Sequence, residues 1–142
     1  MELSISRDFS KNPLLRYCSL SESSGEEFYH NVLNPAFKEC YKKNEHLIVN
    51  LDYTEGYAPS FLDESFGNLV YDFGLKVVTD LLEIVSNEEP FWKDSIDGYL
   101  KKWEQRRIEQ KMPTVTIEHA PWYRLLNGKL ECKTWIHPSA SI

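Results

Sequence analysis

The chain is poor in the features that most directly announce a function. It has only three cysteines, Cys18, Cys40 and Cys132, and their odd number and wide separation argue against a disulfide framework and suit a reducing compartment. No apolar run approaches the length of a membrane span. The opening stretch, MELSISRDFS, has no basic region followed by an apolar core, so no secretory signal is expected and a cytoplasmic location follows. There is no glycine-rich phosphate loop, no nucleophile elbow and no His-Glu-x-x-His helix, so no catalytic residue is assigned and a non-enzymatic role is expected. The four histidines, His30, His46, His119 and His137, form no His-x-x-x-His pair and the cysteines no Cys-x-x-Cys. Neither a metal nor any other cofactor is therefore expected.

What is present is a folded-protein composition. At 142 residues the chain is one domain of ordinary size, long enough to bury a core without staples. The net charge of −6 disfavours nucleic acid as a partner. Its distribution is uneven: residues 52–94 hold ten Asp or Glu against Lys76 and Lys93, whereas Lys101, Lys102, Arg106, Arg107 and Lys111 make a basic stretch. Such runs are either solvated surface or, in the sharper reading, an acidic face for a basic partner. Near the end, Trp122, Tyr123 and Trp135 alternate with Arg124, Lys129 and Lys133. That mixture can stack on single-stranded nucleic acid, but the overall acidity favours packing on the domain or in a protein partner, where Trp and Tyr are enriched.

Along the chain, Glu2 to Arg7 alternates like a half-buried strand, and a turn at Lys11-Asn12-Pro13 leads to a second strand near Leu14 to Leu20, so an N-terminal hairpin carrying Arg16 is expected. Glu26 and Glu27 open a helix whose stripe runs through Phe28 or Tyr29, Leu33 and Phe37, with Pro35 expected to kink or divide it. Leu81 to Val85 reads as a strand. A helix then carries Phe91 or Trp92, Ile96, Tyr99 or Leu100, Trp103 and, at the same spacing, Arg107 to about Lys111, where Pro113 stops it. Thr114 to Glu118 alternates like a strand, and Asn127-Gly128 signals a type I′ hairpin between Trp122–Leu126 and Lys129–Ile136.

The most informative stretch is His46 to Gly74. Leu47, Ile48, Val49 and Leu51 make a buried strand; Tyr53 to Pro59, with Gly56, makes a loop at its carboxyl end. A helix follows, with Leu62, Phe66, Leu69, Val70 and Phe73 on one face, Asp63, Glu64, Asn68 and Asp72 elsewhere, and Gly74 as its stop. Ser60 with Asp63 looks like a capping pair.

Two segments, SGEEFYHNVLNPAF (24–37) and GYAPSFLDESFGNLV (56–70), resemble the STAS-like family of small bacterial α/β proteins, relatives of the anti-sigma factor antagonists. The resemblance covers roughly residues 1–100 and implies an α/β fold: a mixed sheet packed with helices over residues 1–112, with residues 113–142 adding a C-terminal strand and hairpin extension to the same domain. It implies a regulatory binding domain working beside an ATPase or serine kinase of the histidine-kinase fold. In the antagonists a serine or threonine at the start of the helix after a central strand is phosphorylated, and Ser60 stands in that place, flanked by Pro59 and Phe61 where those proteins have Asp before and Gly soon after. The partner surface expected around it comprises Tyr53, Glu55, Tyr57, Phe61, Asp63 and Glu64, with Tyr57 exposed. Ser60 as a plain helix cap is the competing reading. A second expectation is self-association or docking through the C-terminal hairpin; a third, a small-molecule binder or hydrolase, requires a pocket beside Ser60 with a histidine or acid in reach.

Overall fold

Three short strands form a parallel sheet in the order β1 (Glu2–Ser4), β2 (Leu47–Asn50) and β3 (Leu82–Val85) in the computed structural model, which describes residues 1–138. Leu3 pairs with Val49, and Val49 with Ile84, so β2 is the central strand. Leu47 and Val49 are wholly buried.

The expected N-terminal hairpin does not form. After Ser4 the chain turns into a short helix α1 (Ile5–Asp8), because Ser4 Oγ accepts the Arg7 N–H while the Asp8 carboxylate accepts the Ser4 N–H at 2.9 Å. That reciprocal cap overrides the apolar alternation, and β1 pairs in parallel with β2 instead. Residues 14–20 form no strand. They fold back on the next helix, with Gly25 N–H donating to the Leu15 carbonyl and Glu26 N–H to that of Arg16.

Helix α2 (Gly25–Phe28), capped by Ser24 Oγ, continues through a π-helical turn (Tyr29–Leu33) into α3 (Asn34–Lys43). Pro35 has no N–H to donate and its ring would strike the carbonyl four residues back. The widened turn just before it relieves that conflict, so the helix neither stops nor breaks.

Helix α4 (Pro59–Phe73) ends at Gly74, whose φ of +84° favours glycine. It packs foremost against α6 (Phe91–Ile108), and also against α2, the π turn, α5 (Leu75–Leu81) and the first strand of the C-terminal hairpin. The helix was expected to have one apolar face, yet Asp63, Glu64, Ser65, Asn68 and Asp72 are all buried, because neighbours cover it on every side. Gly67 permits the closest of these approaches: a Cβ there would lie 2.2 Å from the Trp103 indole.

The α6 stripe is Trp92, Ile96, Leu100 and Trp103, which decides between the alternatives that the spacing left open, and Arg107 is not part of it. Residues 114–118 are unpaired rather than a strand. Hairpin strands β4 (Trp122–Leu126) and β5 (Lys129–Lys133) are joined by Asn127 and Gly128 at φ +51° and +79°, the conformations a type I′ turn requires. The fold is α/β with an antiparallel C-terminal hairpin, and the main sheet is wholly parallel rather than mixed. No helix among the described residues is long and apolar enough to cross a membrane.

Candidate functional site

The loop from β2 to α4 lies at the carboxyl end of the central strand, where α/β proteins most often place their working groups. Asn50 Oδ1 accepts the Asp52 N–H at 2.8 Å, Asp52 Oδ1 accepts the Glu88 N–H at 2.9 Å, and Glu88 Oε1 accepts the Tyr53 N–H at 2.7 Å. The loops following β2 and β3 are thereby tied together. Tyr53 is held at φ +71°, a left-handed conformation that costs an ordinary residue roughly 1 to 2 kcal/mol, with its side chain 70% exposed. Glu55 and Glu88 are also exposed. Tyr57 is half-buried, contrary to expectation: its hydroxyl donates to the Leu51 carbonyl at 2.6 Å and its ring lies edge-on to Trp92.

Helix α4 begins with Pro59 at its first position and Ala58 at the cap, so no side chain caps it. The expected Ser60–Asp63 capping pair is absent. Ser60 is one residue inside the helix, half-exposed, its hydroxyl unused for capping. Pro59 has no N–H and the Phe61 N–H donates to the Ala58 carbonyl at 3.0 Å, so of the first three helical residues Ser60 alone keeps a backbone N–H without an acceptor, at the positive end of the helix dipole.

Three of the residues expected on the partner surface point inward. Phe61 is wholly buried and stacks on Phe28 at 5.6 Å. Asp63 takes Arg16 and Lys102 at 2.6 Å each and the Trp103 Nε1–H at 3.1 Å. Burial alone would raise its carboxyl, but hydrogen bonds from Lys102 and Arg16 outweigh that and hold it below the usual range. Glu64 is 2% exposed and accepts from Asn68 at 2.7 Å and from Arg16 at 3.3 Å; here burial dominates and pushes the carboxyl up to about 7. Helical spacing placed these acids off the apolar face, and tertiary packing covered that face too. The surface that remains is Tyr53, Glu55, half-buried Tyr57 and Ser60, joined by Glu88 and Leu14, which sequence reasoning missed. An open groove beside it is lined by Asn12, Leu14, Glu55, Gly56, Tyr57 and Ala58; it contains one acid and no histidine.

The opposite end of α4 carries a closed polar network. Asp72 accepts the Tyr29 hydroxyl and, at 2.7 Å, the Arg124 Nε–H. Burial raises its carboxyl to about 6 even with Arg124 beside it. Asn34 pairs with the Tyr123 backbone through both amide groups, at 2.9 and 3.0 Å, which docks β4 on the domain.

A second enclosed cluster surrounds Glu26, which is wholly buried in α2. Its carboxylate accepts the Cys18 N–H, the Thr116 N–H and hydroxyl, and pairs with His119 Nε2 at 2.6 Å. Burial opposes its ionisation, but the hydrogen bonds from His119 and Thr116 bring the carboxyl down to about 2.

Residues 24–92 match the model of a family described as a STAS-like domain of unknown function. No curated protein and no solved structure matches the chain. The matched span runs from Ser24, the cap of α2, through β2, α4 and β3 to Trp92 in α6, and it contains both segments whose resemblance was noted from sequence. The segment that builds the centre of this fold, residues 24–92, is thus the part of the chain that is similar to a STAS-like domain.

Proposed function

We propose that the chain is a non-catalytic regulatory domain that binds a protein partner through the β2–α4 loop, and that Ser60 is its phosphorylation switch. The partner this reading calls for is an ATPase or serine kinase of the histidine-kinase fold. The observation that carries it is the uncapped head of α4, where a half-exposed serine with a free backbone N–H follows a loop that holds an exposed tyrosine in a strained conformation. Transfer of the γ-phosphoryl group of ATP to Ser60 Oγ, with loss of the hydroxyl proton, places about −1.5 to −2 charges where the helix dipole tolerates them. The same charge is added at the head of α4, directly after Ala58, which lines the groove shared by Leu14, Glu55 and Tyr57. Repulsion and desolvation then release a partner seated there.

Calorimetric titration with the partner ATPase tests this reading. Tyr53→Ala is expected to weaken binding tenfold or more, about 1.4 kcal/mol, with the unfolding midpoint unchanged. Ser60→Asp is expected to weaken it as well and Ser60→Ala to preserve it. Equal affinity for all three and the parent chain would refute the surface and the switch together.

A further inference from the structure

Cys18, Glu26 and His119 come from three separated stretches, the N-terminal segment, α2 and the segment before the hairpin. Their sulfur, oxygen and nitrogen donor atoms all lie within 4.8 Å of one another. Ligands of a tetrahedral zinc ion at roughly 2.0 to 2.3 Å are separated by about 3.3 to 3.8 Å, so small side-chain movements suffice to close the set. We infer that these three residues form a binding site for a borderline transition-metal dication, zinc by donor type.

The donor chemistry selects the ion. A thiolate and an imidazole disfavour magnesium and calcium, which take oxygen, whereas sulfur, nitrogen and carboxylate together suit zinc. Charge agrees, since one thiolate, one carboxylate and a neutral imidazole carry two negative charges that a dication cancels, and an enclosed centre is best left neutral. Binding displaces one proton to solvent, that of the Cys18 thiol, now directed at Glu27 Oε2 at 3.3 Å; the neutral His119 imidazole ligates through the Nε2 that now meets Glu26 Oε2 and keeps its single proton on Nδ1. Outer contacts are in place, because the Thr116 N–H and hydroxyl and the Cys18 N–H orient the Glu26 carboxylate. Cys18 is half-exposed, which leaves a path for the ion.

An independent observation comes from His30. Its ring is 9% exposed and stacks on that of His119 at 3.8 Å. Its Nδ1 is the buried side-chain nitrogen or oxygen among the described residues that lacks a hydrogen-bond partner. Buried polar groups are otherwise satisfied, and an orphan of this kind signals a missing polar species. Three protein ligands leave zinc a fourth position, which a water takes, and such a water is the kind of group that completes a buried imidazole.

Cobalt(II) is the probe. Added to the reduced, chelator-treated full chain, it is expected to give visible bands and a thiolate-to-cobalt charge-transfer band in the near ultraviolet, displaced by zinc. The charge-transfer band is expected to vanish in Cys18→Ser and to persist in a Cys40→Ser/Cys132→Ser double variant, which retains Cys18 as its single thiol and does not depend on Cys18→Ser folding. Absence of the band from the parent chain, its survival in Cys18→Ser, or its loss in the double variant would each overturn the assignment.

Discussion

The two ends of helix α4 use polar residues in opposite ways. At the C-terminal end Asp72 is buried and taken up by Tyr29 and Arg124, and Asn34 beside it clamps the hairpin backbone. At the N-terminal end no side chain caps the helix, Ser60 is half-exposed, and Tyr53 stands out into solvent. Burial makes the first end structural, since a paired charge removed from water cannot lose its partner cheaply. The second end keeps groups that neither the core nor the helix uses, and such groups are the ones a partner can engage.

Breaking the closed end is expected to have the largest effect. Arg124→Ala leaves Asp72 buried without its cation, and urea unfolding is expected to show a loss of about 3 to 5 kcal/mol; a change within the error of the measurement would remove the distinction between the ends. Midway along the helix, Gly67→Ala drives a methyl group into Trp103, a rigid ring. The same assay is expected to lose about 1 to 3 kcal/mol.

The comparison sharpens with pH. Glu64 and Asp72 are raised to about 7 and about 6 by burial, so above the ordinary carboxylate range the unfolded chain releases protons that the folded chain retains, and stability falls as pH rises toward neutrality. His30, lowered to about 3 by burial, acts in the opposite direction between about 3 and 6.5. It offsets only one of the two carboxyls where both titrate, leaving a net fall from about pH 4.5 to 6. Above about 6 the falling Glu64 contribution and the fading His30 contribution nearly cancel, so the fall is steepest between about 4.5 and 6, where the net of one proton corresponds to at most about 1.4 kcal/mol per pH unit. Glu64→Gln is expected to flatten the fall between about pH 4.5 and 6 in denaturation curves, because Asp72 and His30 then offset each other; an unchanged slope would show that Glu64 is not its source. At the open end, Ser60→Ala is expected to leave stability within about 0.5 kcal/mol. A loss of about 1 kcal/mol would restore the serine to a capping role.

Local rules made much of the fold legible. Three- and four-residue spacing located α4 and α6, Gly74 fixed the end of α4, and Asn127-Gly128 fixed the hairpin. The reading failed where one local signal outbid another, as when the Ser4–Asp8 cap turned an alternating stretch into a helix. It failed more widely on α4, because periodicity shows which residues are polar but not what will arrive to cover them. Arg16 reaches Asp63 across 47 residues, Arg124 reaches Asp72 across 52, and His119 reaches Glu26 across 93. Those partners lie outside residues 24–92, so the flanking segments complete a polar interior that the matched segment cannot satisfy alone.

The central claim concerns Ser60, and site-resolved mass spectrometry after incubation with the partner ATPase and ATP tests it most directly. The account predicts one phosphate, on Ser60, absent from Ser60→Ala. Phosphate on another residue, or none while the ATPase demonstrably binds the domain, would contradict it.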